Sequence, residues 1–144
     1  MILADVNVWL ATVVEAHPHH HPAVRWWKED VLPANSTVFF CRVTQLGLLR
    51  LLSNDAVMGS AQRSPAEAWD DYDQLLSQPP VSFLAEPERL DERIRAHTLE
   101  REPSASLWTD AYLAAFAQEA GVRLATFDRG FRRFEELDLT VLAP

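Results

Sequence analysis

Residues 107–130 read LWTDAYLAAFAQEAGVRLATFDRG, and this stretch decides the fold. Its first half is nearly all apolar around one carboxylate, Asp110, and it reads as a helix running to Glu119, with Ser104 or Ser106 as its cap. Gly121 supplies the residue that ends such a helix. Arg123–Thr126 follows as a short strand, and the FDRG turn places Asp128 just past the strand's carboxyl end. A lone Asp in such a turn is most simply a turn former. A carboxylate among the apolar neighbours of Asp110 is costly unless something pairs it.

Working outward, the same alternation repeats. Ile2–Asp5 is a short apolar run ending in an acid, and Asn7–Glu15 reads as a helix with Asn7 as a candidate N-cap. His17–Pro22 breaks the pattern. Val24, Trp27 and Val31 then mark a helix over Ala23–Leu32. Thr37–Cys41 reads as a buried strand and Val43–Ser53 as a Leu-rich helix. Pro65, after Ser64, opens a helix to about Ser77. Val81–Leu84 is a strand, Pro87–Arg101 a charged helix, and Thr140–Leu142 a last strand. The order β-α-α-β-α-α-β-α-α-β-(α)-β predicts an α/β fold, a parallel five-stranded sheet with helices on both faces. Sites in such sheets form outside the carboxyl ends of the strands.

The 144 residues fit one domain, residues 1–144, with 48% apolar and 24% charged side chains. That composition excludes wholesale disorder. No apolar run approaches the roughly 18 residues a bilayer span requires, so no membrane association is expected. Cys41 is the only cysteine, which excludes a disulfide scaffold and a multi-cysteine zinc site. With no basic leader after Met1, it points to a reducing, cytoplasmic setting. The net charge of −8 argues against a surface that attracts nucleic acid everywhere. It leaves room for a local basic site, and Arg supplies all but one of the cationic side chains.

A parallel sheet brings Asp5 and Asp128 to one edge. The helix carrying Asp110 runs back along the sheet, so its N-terminus faces that edge too. Clustered carboxylates repel one another and need a cation. A hard divalent ion with oxygen ligands, Mg²⁺ or Mn²⁺, suits them.

Four segments, LADVNVWL, RVTQLGLLRLL, WTDAYLAAFA and ATFDRGF, follow in the order and spacing of the PIN domain. Over essentially the whole chain the sequence resembles, within that family, the toxin ribonucleases of bacterial VapBC toxin–antitoxin pairs. The resemblance implies a Mg²⁺-dependent endoribonuclease acting on structured RNA, a small cognate antitoxin as partner, and a homodimer. It assigns the metal-holding acids to Asp5, Asp110 and Asp128, and the polar residues that orient them to Asn7 and Thr126. One position departs: the Glu common early in the family's third helix is here Gln45, which can accept from a metal-bound water but brings no charge. That departure keeps open a non-catalytic module binding RNA or protein. A metal-dependent phosphohydrolase of small phosphoesters is a further alternative, although Asp5-Val6-Asn7 lacks its usual pair of Asp residues.

Arg42 and Arg129 lie at the same edge and are candidates to hold RNA phosphates. Arg132 and Arg133 are read as either phosphate ligands or ordinary surface. His17, His19, His20 and His21 could bind Zn²⁺ or Ni²⁺, since imidazole suits both, but Pro18 and Pro22 break the helical ligand spacing, so a solvated loop is the preferred reading. Asp70, Asp71 and Asp73 read as a solvated helix face, His97 as surface, and Cys41 as a buried inert thiol. The five Trp residues read mostly as core, with one of Trp26 and Trp27 free for a partner surface.

Overall fold

A computed structural model describes all 144 residues. Five strands, β1 (Ile2–Ala4), β2 (Val38–Phe40), β3 (Val81–Phe83), β4 (Arg123–Thr126) and β5 (Leu139–Val141), form one sheet in the order β3-β2-β1-β4-β5. Every pairing is parallel, with Leu3 opposite both Phe39 and Leu124. The strand order reverses at β1, so β1 and β4 lie side by side and their carboxyl ends meet at one edge.

Seven α-helices connect the strands: α1 (Val6–Val13), α2 (His20–Trp26), α3 (Arg42–Leu52), α4 (Asp55–Met58), α5 (Pro65–Leu76), α6 (Leu90–Thr98) and α7 (Leu107–Ala120). A π turn over Trp27–Val31 continues α2, and a 3₁₀ turn over Arg129–Arg133 follows β4. The strands are continuously apolar because both faces are covered. Successive residues feed opposite cores. Ala4, Val38, Phe40 and Ala125 join Val8, Trp9, Leu48, Leu52 and Tyr72 under α1, α3 and α5. Leu3, Phe39, Cys41 and Leu124 join Ala111, Leu113, Phe116 and Phe131 under α7. Trp9 stacks on Phe40 with centroids 3.8 Å apart.

Local signals set most boundaries. Ser64 and Glu67 form a reciprocal capping box on α5, with Pro65 at its first position. Gly121 ends α7 in the left-handed conformation, φ 66°.

Several sequence expectations are revised. The cap of α1 is Asp5, whose Oδ1 accepts from Val6 N at 2.7 Å, and Asn7 lies inside the helix. Helix α2 begins at His20, because Pro22 falls in its first turn, where its missing N–H costs no helical bond. Trp69 and Trp108 are exposed rather than core. His97 is not free surface: it is hydrogen-bonded to Gln118 Oε1 at 2.6 Å and packs edge-on against Phe134. Asp71 lies on the acidic helix face but is paired with Arg63 at 3.0 Å.

Candidate active site

Asp5 sits where β1 hands over to α1. Its Oδ2 accepts from the Thr126 hydroxyl at 2.7 Å, across the junction of β1 and β4. Thr126 is fully buried at the end of β4 and is the hub of the edge. Its Oγ1 accepts from Asn7 Nδ2 at 3.1 Å and from the Asp128 backbone N at 3.0 Å while donating to Asp5. Asn7 Oδ1 accepts from Phe127 N at 3.2 Å, so one side chain of α1 pins the start of the loop carrying Asp128. Asp128 turns back on itself, its Oδ1 accepting from Gly130 N at 2.7 Å. The Asn7 and Thr126 side chains thus link β1, α1, β4 and the loop after it.

Asp110 is in the first turn of α7 and is nearly buried. The electrostatics tie the three acids together. Burial first, and the charges of Asp110 and Asp128 in addition, raise the Asp5 carboxyl to about 6 against the lowering pull of Thr126 and Val6 N. Asp110 is also raised, by burial first and by Asp128 in addition, with Arg133 opposing. Their long-range coupling is the repulsion a cation would relieve.

No three or more His, Cys, Asp or Glu side chains stand closely enough to enclose a metal ion as they are placed. The donor chemistry suits a hard cation, since the acids are oxygen ligands held in mutual repulsion at one edge. The positive charge actually present is a guanidinium: Arg133 Nη2 donates to Asp110 Oδ2 at 2.9 Å. Arg133 carries no sequence signal separating it from its neighbour Arg132; only the 3₁₀ turn after β4 aims it at α7.

Gln45 is buried in α3, and Arg42 Nη1 donates to its Oε1 at 2.6 Å. The amide oxygen on which a metal-bound water was expected to rely is therefore engaged by Arg42. Arg42 in turn lies over the Phe83 ring, 4.9 Å from its centroid. Arg129 is exposed immediately after Asp128 and holds no ion pair.

The His-rich segment reaches the rim of this edge. His19 stacks on Phe127 with centroids 4.5 Å apart, His17 Nδ1 accepts from His19 N at 3.0 Å, and His20 Nδ1 lies 2.8 Å from Ala11 O. The stack of His19 on Phe127 ties this turn to the loop that carries Asp128, so the segment is not free in solvent along its whole length. Cys41 is fully buried, and burial raises its thiol further from ionisation.

Residues 2–137 match the PIN domain family. The chain is 38% identical over 147 aligned positions to the ribonuclease VapC41 of Mycobacterium tuberculosis, covering 99% of each. Among solved structures it is similar to VapBC2 from Rickettsia felis bound to a DNA fragment of its promoter, at TM-score 0.71 and 15% identity, over 97% of this chain and 98% of that one. It is also similar to VapC20 of Mycobacterium tuberculosis, a toxin that cleaves the sarcin-ricin loop, at TM-score 0.67 and 17% identity, over the full length of both. No helix is long and apolar enough to cross a membrane. A fold with β1 and β4 side by side, an acid at the carboxyl end of each, and full-length identity to a VapC ribonuclease place this chain in the PIN domain family, among the VapC ribonucleases.

Proposed function

We propose that this protein is a Mg²⁺-dependent endoribonuclease, with Mn²⁺ able to substitute, and the toxin of a type II toxin–antitoxin pair. The observation that carries the reading is the Asp5–Thr126–Asn7 network, which holds one carboxylate at the meeting point of β1 and β4 while Asp110 and Asp128 raise its proton affinity. Asp5, Asp110 and Asp128 would hold the ion. When bound, such an ion lowers the pKa of its water and neutralises charge on the phosphate.

The chain's own residues do the rest. Thr126 donates to one Asp5 oxygen and the backbone N–H of Val6 to the other, so the carboxylate cannot rotate away from the edge. Asn7 fixes the loop that presents Asp128. The exposed Arg129 is placed to contact the RNA backbone, whose phosphates favour bidentate guanidinium contacts. Arg42 orients Gln45 at the start of α3, which follows the carboxyl end of β2. A small antitoxin is the cognate partner in this reading, and the active form is a homodimer.

Cleavage of structured RNA by the purified chain, run with Mg²⁺ and with chelator, tests the proposal. Cleavage in both conditions refutes metal dependence. One observation favours a second reading, a non-catalytic module that binds RNA or protein: Gln45 brings no charge and its oxygen is already bonded. RNA binding without cleavage in any divalent ion would establish it. Turnover of an aryl phosphate in place of RNA would point to the phosphohydrolase.

A further inference from the structure

We propose that Arg133 is the built-in counter-ion of the metal-free site: it occupies Asp110 until a divalent ion displaces it, and the released guanidinium then takes the RNA phosphate. The inference deepens the ribonuclease reading and rests on it.

The geometry is specific. Arg133 Nη2 donates to Asp110 Oδ2 at 2.9 Å, with the Arg side chain 33% and the Asp side chain 13% exposed. The pair joins the 3₁₀ turn after β4 to the first turn of α7, across 23 residues of sequence. The base of the Arg is anchored. Its carbonyl oxygen accepts from Arg101 Nη2 at 2.8 Å, and both guanidinium groups lie 4.9 Å from the centroid of the buried Phe134 ring. The head is thus held beside the acids by Asp110 and by the face of the Phe134 ring. Among the three carboxylates, Asp110 is the one with a cationic partner.

A divalent ion and the Arg133 guanidinium draw on the same Asp110 carboxylate charge, so binding of one weakens binding of the other. Displacement leaves a planar, permanently charged group next to a metal-facing phosphate, where it can make a forked contact. Its exposure limits the strength of the pair, as screening weakens any ion pair open to water.

Calorimetric Mg²⁺ titration without RNA tests the first half, on wild type, Arg133→Gln, Arg133→Lys and Arg132→Gln. Arg132 is the exposed neighbour with no ion pair, so Arg132→Gln changes net charge by the same amount without breaking the contact. Arg133→Gln is expected to bind Mg²⁺ roughly three- to tenfold more tightly, the size of a partly exposed ion pair. Arg133→Lys is expected to lie between, and Arg132→Gln to stay near wild type. In chelator, Arg133→Gln should melt a few degrees below wild type, because Asp110 is left unpaired. Equal shifts in Arg133→Gln and Arg132→Gln, or no shift in either, overturn the inference. A wild-type chain that binds no Mg²⁺ overturns the metal reading itself, and the inference with it. Cleavage at saturating Mg²⁺ tests the second half: Arg133→Gln should raise KM for RNA severalfold with kcat nearly preserved. An unchanged KM removes the phosphate-binding role.

Discussion

Asp5→Asn separates the cost of the acidic cluster from its use. A carboxyl whose pKa rises from 3.8 in the unfolded chain to about 6 in the fold holds its proton more tightly when folded. Its contribution to stability is therefore fully present below about pH 4 and lost as pH rises through 6. Over that interval the loss is roughly 3 kcal/mol at 1.36 kcal/mol per pK unit. Asn at position 5 removes the charge and remains a good N-cap for α1. It loses one hydrogen bond: the Thr126 hydroxyl now faces an amide that can offer N–H, while Thr126 Oγ1 already accepts from Asn7 and Asp128. That loss offsets roughly 1–1.5 kcal/mol. In chelator at pH 8 the variant is therefore expected to be about 1.5–2 kcal/mol more stable than wild type, a rise in Tm of roughly 5–7 °C for a domain of this size. Below pH 4 the order reverses, because wild-type Asp5 is protonated and only the hydrogen-bond loss remains. Excess Mg²⁺ should raise the wild-type Tm and leave the variant nearly unmoved, and RNA cleavage should fall below detection. The assay is a set of thermal melts across pH 3.5–8 in chelator and in Mg²⁺, beside a cleavage assay. A variant that melts below wild type at pH 8 in chelator would refute the claim that Asp5 is held ionised against burial and its two acidic neighbours.

Asp110→Asn and Asp128→Asn should each abolish cleavage in a folded protein, measured by RNA cleavage alongside circular dichroism; full activity in both variants would sink the assignment of the site. Gln45→Glu should pair with the Arg42 guanidinium that now holds the amide at 2.6 Å, so calorimetry should find Mg²⁺ affinity within about threefold of wild type. A tenfold tightening would instead show that position 45 faces the metal. Gly47→Ala should lower the melting temperature by several degrees, since a Cβ there would stand 2.6 Å from Val6 Cγ2 and push α3 off α1. Overpacking of this kind costs roughly 1–3 kcal/mol. Melting unchanged from wild type would show that Val6 yields freely.

The sequence by itself determined the layers and their order. Apolar strands of three or four residues, separated by helices with legible caps, admit a parallel sheet covered on both faces, and the Ser64–Glu67 box and Gly121 are local signals that need no tertiary context. The same reading placed Asp5 and Asp128 at one edge, because parallel strands end together. What it could not determine were the bonds made across the fold. Asn7 was legible as a cap, yet its amide reaches 120 residues along the chain to Phe127. Gln45 was legible as a departure from a family pattern, but its engagement by Arg42 depends on side-chain rotamers within α3. Arg132 and Arg133 are identical in type and adjacent in sequence, and the 3₁₀ turn alone aims one at Asp110 and leaves the other in solvent. The His-rich segment looked like a loop by its prolines, and only the packing of His19 on Phe127 brings it to the rim. Periodicity and capping are local and repeat along the chain, so sequence carries them. Side-chain partners are fixed by where distant elements meet, and that is decided by the packed tertiary structure.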